Sequence, residues 1–321
     1  MPHTGKTASR VGLGTWAIGG WMWGGTDEGE ALAAVRSALD HGITLIDTAP
    51  VYGFGRSEEI VGRALEESGK RDEVVLATKL GLSWRGGRIF RDSSPARVRR
   101  EIEDSLRRLR TDHVDIYQVH WPDGTHPFEE TARALQLLRD RGKIRAIGVS
   151  NFSVEQMEAF SQGAAIDTLQ PPYNLFERET ERELLPYAKA HGIATLTYGA
   201  ICRGLLSGRM TPDTTFTGDD LRLHDPKFRP PLYERYLAAV ERLDRFAQER
   251  YGRRVIHLAV RWVLDTGADV ALWGMRRPEQ AAPVDMVMGW RLDQAALAEI
   301  DDILRETVPE AAGPGFMAPP K

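Results

Sequence analysis

Four ionisable side chains stand at or just after apolar, strand-like runs of the sequence: Asp47, Tyr52, Lys79 and His120. A phenol has an ordinary pKa of about 10, and a nearby ammonium favours its ionised form, so Lys79 would make Tyr52 a better proton donor. A lysine at the end of a buried strand is costly unless it is paired, and Asp47 is its natural counter-ion. A neutral His120 could hydrogen-bond a carbonyl oxygen and orient it. Each residue taken singly also has a purely structural interpretation, but together they predict the protonation of a carbonyl oxygen.

The elements that must position these residues follow one alternating pattern. Short β-rich runs are each followed by an amphipathic helical pattern, and glycine ends several of the helices, as at Gly42. Eight such units, with strands apolar on both faces, predict an α/β fold, a closed (β/α)8 TIM barrel in a single domain over residues 1–321. An open doubly wound sheet is the alternative. The eight runs begin at Val11, Ile43, Val74, Val114, Ile144, Asp167, Ile193 and Asp269.

The C-terminal ends of the strands of such a barrel all meet at one mouth, where active sites lie. Asp47, Lys79 and His120 would therefore converge although they are far apart in sequence. A Thr-, Asp- and Pro-rich segment at about 203–236 is too long for a routine connection and is predicted to be a functional loop. The tail, 309–321, is rich in Pro, Gly and Ala and is predicted to be irregular or loosely docked.

Composition excludes several classes of function. Lys and Arg total 42 and Asp and Glu total 46, for a net charge of −4 without long runs of one sign, which argues against nucleic acid or an anionic membrane as the main partner. The single cysteine, Cys202, excludes an intramolecular disulfide framework, and we find no spacing typical of a zinc site, so no metal is predicted. No apolar run reaches the ~18 residues of a membrane span, and the first residues lack the apolar core of a signal peptide, so we expect a cytoplasmic protein. The oligomeric state stays open.

Five motifs of the sequence resemble those of the aldo-keto reductase superfamily: GLGTW, DTAPVYG, ATKLG, DIYQVHWPD and IGVSNF. The resemblance covers nearly the whole chain, and in its later segments it is greatest to a bacterial branch that includes members linked to inositol utilisation. It implies an NADP(H)-dependent oxidoreductase that reduces aldehydes or ketones by hydride transfer. Its catalytic tetrad would fall on Asp47, Tyr52, Lys79 and His120, with Tyr52 as proton donor.

The resemblance also implies contacts with the cofactor. Planar Arg276, beside Arg277 at a loop-to-helix start, is suited to the adenosine 2′-phosphate and favours NADP(H). Many relatives have acidic and amide residues that meet the adenine directly after the position of Gln280. This chain has Ala281–Val284 there instead, so the resemblance does not give its adenine contacts. The segment at about 203–236 becomes a cofactor and substrate loop. At its start, the backbone amides and the charges of Arg203 and Arg209 could bind a pyrophosphate. The implied cofactor contacts are Trp16, Asp47, Ser150, Asn151, Gln170, Tyr198, Gly199, Ala200, Ile201, Arg203, Gly204, Gly274, Arg276 and Gln280.

Four tryptophans follow predicted strands and would form an apolar wall beside a small-molecule carbonyl substrate: Trp21, Trp23, Trp84 and Trp121. Aldehydes and small ketones, including sugar-derived ones, are the expected substrate class. Two other functions stay open. Lys79 could be the Schiff-base nucleophile of an aldolase-like barrel, although a counter-ion at Asp47 argues against it. The barrel could also be a cofactor-binding regulatory subunit with little turnover, as potassium-channel β subunits resemble this superfamily.

Overall fold

The computed structural model describes residues 1–320 and contains the predicted closed barrel. Each strand pairs in parallel with the strands before and after it, and the first pairs with the last, in the order β1-β8-β7-β6-β5-β4-β3-β2. All eight predicted runs form these strands, so the (β/α)8 prediction is confirmed and the open sheet is excluded. The strands are β1 Val11–Gly14, β2 Leu45–Asp47, β3 Val75–Leu80, β4 Val114–Val119, β5 Ile144–Ser150, β6 Thr168–Gln170, β7 Ala194–Thr197 and β8 Val270–Gly274.

Ten α-helices accompany the strands over residues 1–320, and most cover the outside of the barrel. Their boundaries follow local chemistry. The helix over 28–40 ends before Gly42, which has a φ of 74°, and the helix over 95–109 begins with Ser94 capping the Arg97 amide at 3.2 Å. The helices are α1 Trp16–Gly19, α2 Glu28–Asp40, α3 Arg56–Ser68, α4 Pro95–Leu109, α5 Phe128–Asp140, α6 Val154–Ser161, α7 Leu184–Ala190, α8 Leu232–Tyr251, α9 Val255–Asp265 and α10 Gln294–Thr307.

The core has two parts, as a barrel requires. The larger one lies between the strands and the helices. The smaller one fills the barrel interior with aliphatic side chains that point inward from six of the strands. This interior is packed, so the open space of the fold lies at the ends of the strands. The interior residues are Leu45, Val75, Ala77, Ile116, Ala146, Leu196, Val270 and Leu272.

Two connections differ from what the sequence indicated. An antiparallel hairpin, with strands Leu82–Arg85 and Arg88–Arg91, follows β3 and had not been predicted. In the segment predicted to be a functional loop up to about residue 236, α8 already begins at Leu232. The reason is that Tyr233 and Tyr236 are both buried at helical spacing, so they belong to the packed face of a helix.

The C-terminal tail contains one short helical turn, Gly315–Met317, and is attached to the barrel at several points. The Ala312 amide donates to the Tyr236 hydroxyl at 2.9 Å, and Arg91 of the hairpin donates to the Pro319 carbonyl at 2.6 Å. The tail therefore lies across the mouth of the barrel. No helix within residues 1–320 is long and apolar enough to cross a membrane.

Candidate active site

The barrel brings together the four ionisable residues singled out in the sequence. Asp47 ends β2, Lys79 lies near the end of β3, His120 directly follows β4, and Tyr52 lies in the loop after β2. The Lys79 ammonium is completely buried and lies 2.5 Å from the Asp47 carboxylate. The predicted ion pair is thus present, and burial of a lysine on this strand is compensated by a carboxylate.

Lys79 uses all three of its donors within this group. Beside the Asp47 contact, Nζ donates to the Thr48 carbonyl at 3.1 Å and to the Tyr52 hydroxyl at 3.2 Å. Since the Tyr52 oxygen accepts from the ammonium, its own proton is free to be donated elsewhere. The hydroxyl proton can therefore point into the cavity that Tyr52 lines.

Aromatic contacts fix the Tyr52 ring. It stacks on Trp16 with centroids 5.9 Å apart and an angle of 19°, and it meets His120 edge to face at 5.6 Å. Its backbone is held as closely: a Cβ atom on Gly19 would lie 2.5 Å from the Tyr52 carbonyl carbon and oxygen. The phenol therefore has one well-defined position.

The electrostatics of the site correct one sequence-based expectation. Burial, together with the Asp47 charge, raises the pKa of Tyr52 well above its ordinary value, whereas reasoning from the ammonium alone predicted a lowered one. The sequence could not weigh the loss of hydration of a phenolate in this site. Burial also lowers the pKa of Lys79, against the opposing effect of Asp47. Burial and then the Lys79 charge lower the pKa of His120 well below its ordinary value, so the expected neutral imidazole agrees with the structure.

A cavity of about 530 Å³ opens at this mouth, beside the Tyr52 and His120 rings. Most of the predicted site residues line it. Lys79 does not, because it lies beneath Tyr52, and neither does the completely buried Ala200. The predicted residues that line the cavity are Trp16, Trp21, Trp23, Asp47, Tyr52, His120, Trp121, Ser150, Asn151, Gln170, Tyr198, Gly199, Ile201, Arg203, Gly204, Gly274, Arg276 and Gln280.

Trp84 was predicted to be a pocket residue and lies outside this lining. It belongs to the hairpin and contacts Phe54 at 5.5 Å, and Phe54 in turn contacts Trp21 at 5.3 Å. Trp84 therefore packs behind Phe54 and Trp21 and does not reach the cavity. Closeness to the end of β3 in sequence suggested the mouth, but the hairpin carries the chain outward.

A connected polar group forms the inner wall of the cavity. Asn151 donates from its amide to the His120 carbonyl at 3.0 Å and accepts from the Tyr198 hydroxyl at 2.9 Å. Gln170 donates from its amide to Asp47 at 2.8 Å, and Ser150 donates to the Gln170 carbonyl at 2.8 Å. These residues were singled out from the sequence, and the structure places them on one wall.

Arg203 has charged partners that its sequence position did not indicate. Its charge was expected to face a pyrophosphate, but the guanidinium lies 2.8 Å from the Asp225 carboxylate and also pairs with Glu177. Lys227, completely buried, contacts Glu177 at 2.8 Å. Two cations and two carboxylates thus form a buried neutral cluster. The charge of Arg203 is thus already balanced within the protein, which leaves the backbone amides and the exposed Arg209 of this segment for a phosphate.

The outer end of the cavity is positively charged. Arg276 lines it, and burial followed by the charges of Arg222 and Arg277 lowers the pKa of Arg276. Arg222 was missed in the sequence; it lines the cavity, pairs with Asp220 at 2.6 Å and lies over the Trp23 ring. Arg276, Arg222 and Arg277 thus place three guanidinium groups close together, and such groups suit a phosphate. The residues present therefore fit a phosphorylated dinucleotide at this end of the cavity.

Gln118 was also missed. It lies on β4 in register with Lys79, is completely buried and donates to Asp47 at 3.2 Å. Its position two residues before His120 places it on the same face of the strand, which is a signal that the sequence did contain.

The closed barrel with one large cavity at the C-terminal ends of its strands defines a (β/α)8 enzyme. Residues 10–305 match the model of the aldo/keto reductase family. The chain belongs to this family and is an oxidoreductase.

Two curated relatives resemble the chain over most of its length. Aldo-keto reductase YhdN of Bacillus subtilis is 59% identical over 321 residues, covering 100% of this chain and 97% of that protein. The NADH-specific methylglyoxal reductase of Escherichia coli is 37% identical over 295 residues, covering 86% and 89%.

Two solved structures resemble the fold. Glycerol dehydrogenase AKR11B4 from Gluconobacter oxydans has a TM-score of 0.90 and 55% identity, covering 99% of this chain and 98% of that one. An aldo-keto reductase from Klebsiella pneumoniae in complex with NADPH has a TM-score of 0.72 and 30% identity, covering 92% and 91%.

Proposed function

We propose that the protein is an NADP(H)-dependent reductase of small aldehydes and ketones in which Tyr52 protonates the carbonyl oxygen. The observation that carries the proposal is the contact of Tyr52 with Lys79, whose three donors are all used within the site. Bound NADPH would supply the hydride to the carbonyl carbon. The products are then an alcohol and the oxidised cofactor, with Tyr52 regaining its proton from solvent.

The proton step follows from the bonds of the phenol. Tyr52 accepts a hydrogen bond from Lys79 and keeps its proton for the substrate, and the ammonium stabilises the charge that develops on the oxygen as the proton leaves. His120, neutral and beside the phenol, donates to the same carbonyl oxygen and aligns it. Hydrogen bonds from Tyr52 and His120 to the same substrate oxygen fix the orientation of the carbonyl group.

The cavity would hold the cofactor along its length. Ser150, Asn151 and Gln170 would hold the nicotinamide carboxamide, and Tyr198 would offer its ring for stacking. At the outer end Arg276 would bind the 2′-phosphate, and we add Arg222 because it lines the same end. The full set of proposed contacts is Trp16, Asp47, Ser150, Asn151, Gln170, Tyr198, Gly199, Ala200, Ile201, Arg203, Gly204, Arg222, Gly274, Arg276 and Gln280, with Arg203 and Ala200 contributing through the backbone.

The substrate would sit between the phenol and an aromatic wall of Trp21, Trp23 and Trp121. The relatives whose names mention methylglyoxal and glycerol support a small, oxygen-bearing three-carbon substrate. A single domain with a cofactor and substrate loop at about 203–231 and a cytoplasmic location complete the proposal. The location rests on the one cysteine being a buried thiol.

An aldolase using Lys79 fits poorly. A Schiff-base lysine must present a free amine to a carbonyl carbon, whereas Lys79 is completely buried, lies outside the cavity lining and is bound to three oxygens. Forming the covalent bond would require breaking all three contacts.

The deciding experiment is a panel of aldehydes and ketones assayed by nicotinamide absorbance, with NADPH and NADH in parallel. Turnover with NADPH is expected, falling by orders of magnitude in Tyr52→Phe, because only the proton donor is lost. Tyr187→Phe, on α7 away from the cavity, is the matched control. Unchanged turnover in Tyr52→Phe would refute the mechanism. Tight NADPH binding without turnover of any carbonyl would instead identify a regulatory subunit.

A further inference from the structure

Gln118 occupies the floor of the site without touching the cavity. It belongs to β4, is completely buried and lies in register with Lys79 on β3. Its amide nitrogen donates to Oδ1 of Asp47 at 3.2 Å, the oxygen on the far side of the carboxylate from Lys79. A polar side chain in the middle of a barrel strand is costly unless its hydrogen bonds serve a group that needs them.

A second amide meets the same oxygen. Gln170 on β6 donates from Nε2 to Oδ1 of Asp47 at 2.8 Å and to Oε1 of Gln118 at 3.4 Å. The carboxylate of Asp47 is therefore held from both sides, by the ammonium of Lys79 on Oδ2 and by two amides on Oδ1. These contacts fix the plane of the carboxylate and offset its loss of hydration.

The neighbouring strand leaves room for this arrangement. Gly148 on β5 is directly in register with Gln118, and a Cβ atom there would lie closest to Oγ1 of Thr168 and 2.6 Å from Cγ of Gln118. The absence of a side chain at 148 thus makes room for both the Thr168 hydroxyl and the Gln118 side chain.

The hydrogen bonds also orient Gln170. Both of its side-chain N–H groups point inward, to Asp47 and to Gln118, and within residues 1–320 no group donates to the side-chain oxygen Oε1, in contrast to the backbone oxygen that accepts from Ser150. Gln170 lines the cavity, so the carbonyl oxygen is the atom that it offers there. An acceptor in that position suits the N–H2 group of a carboxamide.

We propose that Gln118 is a positioning residue that aligns Asp47 against Lys79 and turns the carbonyl oxygen of Gln170 toward the cofactor. Its two bonds connect the proton-donating half of the site with the nicotinamide half. The inference rests on the proposed function and names a residue for it that touches neither substrate nor cofactor.

The test compares Gln118→Met, which keeps the length of the side chain and removes both hydrogen bonds, with wild type. The control is Gln136→Met on the outer helix α5, where the amide contacts only Asp140 and Arg139. We expect the Gln118 variant to lose about tenfold in kcat and to bind NADPH about tenfold more weakly by fluorescence titration, which is the scale of one lost buried hydrogen bond at each end. Its thermal midpoint should stay within a few degrees of wild type.

A pH profile separates positioning from packing. A loosened Asp47 supports the Lys79 charge less, so the alkaline limb of kcat/KM should move to lower pH in Gln118→Met. In Gln118→Glu the added carboxylate repels Asp47, so activity should fall further and recover in part as the pH is lowered and the new group is protonated.

The outcomes are distinct. Wild-type kcat, NADPH affinity and pH profile in Gln118→Met, with wild type itself active, would overturn the positioning role alone. A wild type that binds NADPH and reduces no carbonyl would overturn the proposed function, and the role of Gln118 in orienting Gln170 would then be judged by the NADPH affinity of the two variants. If Gln118→Met does not fold, Gln118→Leu removes the same two hydrogen bonds with a shorter side chain and is expected to give the same loss of kcat and affinity.

Discussion

The phenol oxygen of Tyr52 lies 3.2 Å from Nζ of Lys79, and this nitrogen gives its remaining hydrogen bonds to Asp47 and to the Thr48 carbonyl. The direction of the hydrogen bond matters more than the distance. An ammonium has no lone pair, so the phenol must be the acceptor and its proton must point away from Lys79. The buried ion pair therefore turns a tyrosine of high pKa into a donor aimed at the cavity.

The pH dependence of the chemical step follows from the two shifted groups. The pKa of Tyr52 lies well above its ordinary value of about 10 and that of His120 well below about 6.5, so the donor stays protonated and the imidazole neutral between about pH 6 and pH 9. The single-turnover rate of carbonyl reduction should be flat over this range. Alcohol oxidation needs the phenolate and should rise with pH throughout it. An inflection of the reduction rate near pH 6.5 would contradict the buried, neutral state of His120.

Removal of one arginine should change cofactor preference. Arg276→Ala is expected to weaken NADPH by about ten- to a hundredfold and NADH far less, since only NADPH has the 2′-phosphate that a charged hydrogen bond would recognise. Dissociation constants for both cofactors, from fluorescence titration, measure the effect. Arg291→Ala removes an exposed arginine without a recorded salt bridge and should leave both constants unchanged. Equal weakening of the two cofactors would remove the assignment.

The approach of two loops at Gly19 should be sensitive to a single methyl group. In Gly19→Ala the new Cβ would lie 2.5 Å from the Tyr52 carbonyl group and 2.9 Å from the Gly53 amide nitrogen, both backbone atoms, so the loop that holds the phenol must move. A shift of the donor by a fraction of an ångström should cost about ten- to a hundredfold in kcat. Gly315→Ala, which has no atom within 4 Å of the added carbon, is the control. Wild-type kcat in Gly19→Ala would show that the donor tolerates displacement.

The barrel and the tetrad were predictable because local rules and position in the fold agree. A lysine at the end of an apolar strand needs a carboxylate, and Asp47 ends the neighbouring strand, so their contact follows from parallel pairing. The hairpin after β3, which had not been predicted, also has a signal in the sequence: Gly86-Gly87, a dipeptide typical of tight turns, lies between two short β-rich runs.

Other features depend on contacts that no spacing reveals. Glu177 precedes Arg203 by 26 residues, and the structure pairs their side chains where the sequence suggested a phosphate. Alternation along β4 places Gln118 on the same face as His120, but its hydrogen bond to Asp47, two strands away on β2, depends on side-chain conformations that the pattern does not give. The pKa of Tyr52 depends on its burial, which the sequence does not give.

The buried cluster of Glu177, Arg203, Asp225 and Lys227 allows a test of charge balance. Lys227→Met leaves two carboxylates with one guanidinium, and an unbalanced buried charge should lower the free energy of unfolding by about 3 to 5 kcal/mol. The double variant Glu177→Gln with Lys227→Met restores neutrality and should be less destabilised than the sum of the single variants. Urea unfolding measures both, with the exposed Lys189→Met as control. Additive losses in the double variant would show that the four charges do not act as one cluster.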